Sequence, residues 1–335
     1  MTEIIGLAEA WNAGFIDTEE WEMNPRDYLW ASELGNSPID TFLRLRGQKP
    51  TNPPNDRAKR KMGAGVDWEH QIKRIFKRAG ILLEEQKYAV HQYPGLLKVT
   101  GKLDFLIGGK CDIDAATKYI ESNDDLSPNS KRAAMNAIRY YQKTYPDGFA
   151  PHPIELKSIS DYAMDEMEKS KSPVERNAMQ MFHYLISLDF KVGTLSYLNR
   201  NDCRMMEFPI TNPSAIGETY KKKIELLSKY ILSGQEPPKE KLIVFDEYLG
   251  KFTKNLSVSW SNYLTMLYGF KEPREYDEPF GKKAANWNRV MKRVKEGAKM
   301  TDKNKEVLAE IEKEFDLGDV TSKFRVAAEE NEEEA

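Results

Sequence analysis

Three acids, a lysine and a glutamine–tyrosine pair fall along this sequence in an order suited to cleaving a phosphodiester bond. The acids are Glu69, Asp104 and Glu155; the lysine is Lys157; the pair is Gln180 and Tyr184. Hard cations such as Mg²⁺ take oxygen ligands, usually a few carboxylates with waters completing the shell. Glu69, Asp104 and Glu155, with the backbone carbonyl of Leu156, make such a set. A cation held there lowers the pKa of a bound water and offsets charge on the phosphate. Lys157, two residues from one ligand, is placed to orient the attacking water or to stabilise charge developing on phosphorus. Gln180 and Tyr184 can hold phosphate oxygens or brace the lysine. Without a cation the grouped carboxylates repel, and at least one pKa rises.

The elements that must carry these groups are legible in the spacing. A helix is predicted from about Arg57 to Ala79, stopped by Gly80. Gly65, Glu69, Ile72 and Phe76 recur on it at i, i+4, i+7 and i+11, which sets Glu69 on the inward stripe. His70 lies about 100° round, towards Lys73, Arg74 and Lys77. Asp104 interrupts an apolar strand predicted over Leu97 to Ile107, opposite in parity to Leu103, Phe105 and Ile107. Glu155 and Lys157 share one face of a short strand over Ile154 to Ile159. Gln180 and Tyr184, four apart on a predicted helix over Pro173 to Phe190, point the same way. Taken singly, each signal has an ordinary explanation: an acid at the edge of a stripe, a strand Asp facing outward, a surface ion pair, a polar helix face. Their order on helix, strand, strand and helix is what points to chemistry.

Composition limits the partners. The chain has 335 residues, 50 Lys+Arg against 53 Asp+Glu, and a net charge of -3, which taken alone argues against a nucleic-acid binder. Five of those acids, Glu329, Glu330, Glu332, Glu333 and Glu334, lie in the last seven residues, and the remainder carries +2. The segment Arg57 to Arg78 carries +6, so Lys73, Arg74, Lys77 and Arg78 are candidate phosphate contacts. A second basic group, Lys282, Lys283, Arg289, Lys292, Arg293 and Lys295, surrounds Trp287 and suits either nucleic acid or a docked partner. Two cysteines, Cys111 and Cys203, exclude a four-cysteine zinc site or iron–sulfur cluster and fit reduced thiols. No run reaches the ~18–20 apolar residues of a membrane span, and Met1 to Glu20 has no basic region ahead of an apolar core, so no secretory signal is expected.

Gly65-x-x-x-Glu69, Gly101-Lys102-Leu103-Asp104, Glu155-Leu156-Lys157 and Gln180-x-x-x-Tyr184 together resemble the PD-(D/E)XK nuclease superfamily, within it the RecB-type and phage exonuclease-like branch. Ala31-Ser32-Glu33-Leu34-Gly35 to Arg44 is similar to that branch's entry segment, and the likeness spans about residues 30–200. The resemblance implies a restriction-endonuclease-like α/β core, a mixed central sheet flanked by helices. It implies that the acids bind Mg²⁺ or Mn²⁺, that Lys157 assists catalysis, and that DNA is the substrate, degraded by an exonuclease in recombination, repair, replication or phage DNA processing. Many relatives place a histidine at the first helical motif, so that role falls to Glu69 or His70. The iron–sulfur variant of the family is not expected.

The expected organisation is an N-terminal helical entry segment over 1–56, with Trp21, Tyr28, Trp30 and Leu34 as anchors. A nuclease core follows over 57–234, with a helical insertion at 111–152. A mostly helical C-terminal module covers 235–326, with aromatics that include Tyr248 and Trp260, and a disordered acidic tail ends the chain at 327–335. A cytoplasmic enzyme of a bacterium, archaeon or phage-infected cell is expected, acting alone, as a homo-oligomer, or with a replication or recombination protein. The alternative is a nuclease-fold DNA-binding or assembly subunit with little cleavage.

Overall fold

A computed structural model describes residues 24–326 apart from Asp112, Asp125 and Tyr248. Trp21, Tyr248 and the acidic tail therefore lie outside the described residues. The chain divides into two compact units, residues 1–49 with 54–236, and residues 50–53 with 237–335.

The first unit is built on a six-stranded mixed sheet. Its strands are β1 (Tyr28–Trp30), β2 (Leu82–His91), β3 (Lys98–Gly109), β4 (Phe149–Ile159), β5 (Val192–Asn199) and β6 (Met205–Thr211). Its helices are α1 (Pro38–Leu45), α2 (Asp56–Arg78), α3 (Ile113–Glu121), α4 (Pro128–Thr144), α5 (Asp161–Ser170), α6 (Glu175–Leu188) and α7 (Ala215–Ser233). The sheet runs β1-β3-β4-β5-β6, with β2 also paired to β3. Pairs β1/β3 and β4/β5 are parallel; β2/β3, β3/β4 and β5/β6 are antiparallel. Parallel β4 and β5 need a crossover, and α5 and α6 supply it.

One consequence of the register creates the site. β2 lies along β3 from Val99 to Ile107. A strand has only two edges, so β1, paired at Lys98 to Thr100, and β4, paired from Phe105 onward, must share the other one. Residues 101–104 of β3 have no strand partner on that edge. Continuing the β3/β4 register past Phe105↔Ile154 would pair Asp104 with Glu155; instead the two strands part there.

Two apolar layers hold the sheet. On one side Leu29, Val99, Leu195 and Tyr197 pack with Met181, Leu185, Tyr220 and Ile224 of α6 and α7. On the other, Phe105, Ile154 and Leu156 pack with Phe76, Ile120 and Ile138 of α2, α3 and α4. Asn55 caps α2 by accepting from the Ala58 amide at 2.9 Å, and Gly80 ends it at φ +69°. The α/β class with flanking helices is as expected, with three corrections to its parts. Tyr28–Trp30 is a strand, not helix or loop, because this short run borrows its ladder from β3. The helical insertion ends at Thr144, and β4 begins at Phe149 rather than near Ile154. Asp161–Ser170 is a helix that sequence periodicity did not reveal; Ser160 caps it.

The second unit joins a hairpin, β7 (Ile243–Asp246) and β8 (Lys251–Lys254), to helices α8 (Leu256–Ser259), α9 (Leu264–Tyr268), α10 (Pro273–Lys295), α11 (Asp302–Glu314) and α12 (Leu317–Lys323). The unit is mostly helical, as expected, and the hairpin is an addition that the sequence pattern did not reveal. Trp287 is fully buried, packs edge-on against Phe252, and donates its indole N–H to Glu310 at 3.1 Å. The basic group around it is largely spent internally: Lys283 pairs with Glu310, Lys292 with Glu296, and Arg293 and Lys295 donate to carbonyls of Lys299 and Phe324.

Candidate active site

The parting of β3 and β4 leaves backbone groups that need partners, and the sequence supplies them with side chains. The Leu156 amide, which would otherwise face β3, donates to Asp104 Oδ2 at 2.8 Å. The Lys102 carbonyl on the unpaired edge accepts from the Tyr184 hydroxyl at 2.8 Å. That hydroxyl in turn accepts from Gln180 Nε2 at 2.9 Å, and the same amide donates to Glu155 Oε1 at 2.8 Å. A continuous chain therefore runs from Glu155 through Gln180 and Tyr184 to the backbone of β3. Gly101 makes room for it: a Cβ there would stand 2.7 Å from Tyr184 Cε1.

Glu155 is the centre of the arrangement. Its residue is only 1% exposed. Oε1 receives both Gln180 and the Lys157 ammonium, the latter at 2.5 Å. Oε2 is buried with no hydrogen-bond donor. A buried carboxylate oxygen without a donor is costly and marks a place where a proton or a cation belongs. Burial pushes the Glu155 pKa up, against the pull of Lys157. Burial, and then the neighbouring Glu155 charge, push Asp104 up to about 8, although Lys157 and the Leu156 amide pull it down. Burial alone would lower Lys157, but the Glu155 and Asp104 charges outweigh it and hold the ammonium above its ordinary value.

Glu69 joins from α2. Gly65, one turn before it, stands over β4, where a Cβ would come within 3.2 Å of Ser158 Oγ. Glu69 Oε1 accepts from Gln86 Nε2 at 2.6 Å, and the same amide reaches Asp104 Oδ1 at 3.4 Å. Burial and the Asp104 charge raise the Glu69 pKa. His70 is exposed on the neighbouring face of the helix. Of the two alternatives for the first position, it is Glu69 that the structure brings to Asp104.

Asp104, Glu155, Lys157, Gln180 and Tyr184 thus come together, with Glu69 linked through Gln86. Gln180 and Tyr184 are buried, not helix surface, and the glutamine touches Glu155 rather than Lys157. The donor set fits a hard cation: two adjacent carboxylates, one carrying an orphaned oxygen, and a third within reach of the same amide. Among the described residues no three acidic, His or Cys side chains already form a closed cluster. Of the expected phosphate contacts, Lys73 is ion-paired with Glu85, Arg74 and Lys77 are exposed, and Arg78 is half-buried.

Sequence reasoning missed Gln86 and Tyr197. The Tyr197 hydroxyl accepts from the Val174 amide and Asn177, each at 3.1 Å, which ties β5 to the start of α6. Neither residue has a local signature: their partners lie on other elements and appear only once the register is known.

No family model matches the chain, and no curated protein matches its sequence. Among solved structures, the crystal structure of SSO0001 is similar at 13% identity and TM-score 0.40, over 70% of this chain and 88% of that one. An alkaline exonuclease from Laribacter hongkongensis, LHK-Exo, is similar at 13% identity and TM-score 0.38, over 68% of this chain and 94% of that one. The same exonuclease in complex with dAMP gives 12% identity and TM-score 0.39, over 68% and 94%. Likeness at this level assigns no residue a role. Among the described residues no helix is long and apolar enough to cross a membrane.

Proposed function

We propose that the chain is a divalent-cation-dependent nuclease that hydrolyses phosphodiester bonds in DNA. The observation that carries this reading is the buried Glu155 carboxylate, held on one oxygen by Lys157 and Gln180 and left without a donor on the other, beside Asp104. A structural ion pair does not need a second acid and an orphaned oxygen. Glu69, Asp104 and Glu155, with the Leu156 carbonyl, would hold Mg²⁺ or Mn²⁺, which when bound neutralises phosphate charge and acidifies water.

The chain's own residues do the remaining work. Lys157, half-buried and charged, stands beside Glu155, where a developing negative charge is stabilised at low local dielectric. Gln180 fixes the Glu155 rotamer, and Tyr184 fixes Gln180 to the β3 backbone, so the carboxylate is pre-organised. Arg74 and Lys77, exposed on α2, suit contacts with the phosphate backbone. The resemblance of the four motifs to the RecB-type and phage exonuclease-like branch is what points to an exonuclease acting from DNA ends.

The absence of three pre-clustered ligating side chains among the described residues favours a second reading, a nuclease-fold DNA-binding subunit with little cleavage. Glu155→Ala and Lys157→Ala separate the two. Each should lower cleavage of linear DNA with Mg²⁺ by about 10²–10³-fold or more while the far-ultraviolet dichroism spectrum is kept. Unchanged cleavage in both variants would refute the nuclease reading; DNA binding with no cleavage by the wild type under any divalent ion would establish the second.

A further inference from the structure

We propose, resting on the nuclease reading above, that Gln86 is a positioning residue that holds Glu69 and Asp104 in ligand geometry from outside the ligand shell. Two independent features of β2 lead to it. The first is the hydrogen bonding: one carboxamide nitrogen donates to Glu69 Oε1 at 2.6 Å and reaches Asp104 Oδ1 at 3.4 Å. Glu69 comes from a helix and Asp104 from a strand. Gln86 therefore links the two elements at the site.

The second feature is the backbone. Successive residues of a strand point to opposite faces. Here Glu85 pairs with Lys73, while its neighbour Gln86 reaches Glu69, one turn before Lys73 on the same helix. Two consecutive strand residues can serve one helix face only if the alternation is broken between them. Gln86 breaks it: its φ is +48°, and the ladder pairs Glu85 with Phe105 and Lys87 with Leu103 but skips the Gln86–Asp104 position. Glycine accepts such a φ freely; glutamine does not. Gln86 is solvent-exposed, so core packing does not account for the conformation. The strain is matched by what the amide does, which is to hold two acids that repel each other at a fixed separation.

Outer-shell partners of ligating carboxylates typically govern metal affinity by about 10–100-fold. The test is calorimetric titration of Mn²⁺ into the full chain without DNA, paired with thermal melting in EDTA. Gln86→Gly removes the amide and relieves the backbone. Gln86→Asn keeps a residue tolerant of positive φ but shortens the reach by one methylene. Both should bind Mn²⁺ about 10–100-fold more weakly than wild type, while Gln86→Gly melts in EDTA at or above the wild-type temperature. Wild-type affinity in both variants would overturn the role of Gln86 alone, provided that wild-type binding is lost in Glu155→Ala. No Mn²⁺ binding by the wild type, or binding unaffected by Glu155→Ala, would overturn the cation site and this role with it.

Discussion

Replacing Asp104 by Asn should stabilise the cation-free protein and abolish its cleavage, and the stabilisation should grow with pH. Asp104 has an ordinary pKa of 3.8 and is pushed up to about 8 in the fold, first by burial and then by the Glu155 charge. Its folded pKa lies above its unfolded one. Its contribution to stability is therefore complete below pH 3.8 and is lost as pH rises through about 8. The loss accrues at no more than about 1.4 kcal/mol per pH unit, a ceiling of roughly 5–6 kcal/mol over the whole window. Asp104 is half-buried rather than sealed, so solvent and relaxation reduce this to about 2 kcal/mol. Asparagine cannot ionise and keeps an oxygen for the Leu156 amide; its NH₂ takes the place of Oδ1, where the long 3.4 Å approach of Gln86 is what is lost. Urea denaturation in EDTA at pH 5, 7 and 8.5 should show Asp104→Asn gaining on wild type at each step. The gain should reach about 2 kcal/mol at pH 8.5, or ~4–8 °C in melting temperature for a unit of this size. Saturating Mg²⁺ should close the gap by stabilising wild type alone. A variant less stable than wild type at pH 8.5, or a gap that does not change with pH, would refute the reasoning.

Three further substitutions probe the support around the site. Tyr184→Phe leaves the Lys102 carbonyl and one Gln180 N–H without partners; it should cost about 1–3 kcal/mol in denaturant titration and lower cleavage at saturating DNA. Gly101→Ala places a methyl 2.7 Å from the Tyr184 ring; a loss of about 1–3 kcal/mol is expected, and Tyr184→Ala in the same chain should recover part of it by removing the clash. Glu33→Gln weakens a buried carboxylate that receives Arg26, Arg44 and the Trp30 amide; the cost should be about 3–5 kcal/mol, with the metal affinity of the folded fraction unchanged.

Much of the fold and the composition of the site were legible in the sequence because they rest on local periodicity. The stripe through Gly65, Glu69, Ile72 and Phe76 places Glu69 inward without any knowledge of the sheet, and alternation puts Glu155 and Lys157 together on one face of β4. What stayed hidden depends on register between elements distant in the chain. Tyr28–Trp30 is too short to reveal itself as a strand and exists through its pairing to Lys98–Thr100. The gap along residues 101–104, which explains why Asp104 bonds a backbone amide and Tyr184 a backbone carbonyl, follows from β1 and β4 sharing one edge of β3. Gln180 could be read as a surface residue until its amide was seen between Glu155 and Tyr184. The hairpin at Ile243–Lys254 escaped because its two four-residue strands are bounded by no longer pattern. The basic group about Trp287 shows the reverse case: charges that look available in the sequence are spent on Glu310, Glu296 and helix-end carbonyls.

The proposed nuclease activity resides in the site around Asp104, Glu155 and Lys157, where β3 and β4 part. Incubating the wild-type chain with end-labelled linear DNA and with covalently closed circular DNA, each in Mg²⁺, Mn²⁺ or EDTA, tests it in one gel. Label should be released from linear DNA with either ion and not in EDTA, with little change in the circle. Linear and circular DNA both intact in Mg²⁺ and Mn²⁺ would contradict it.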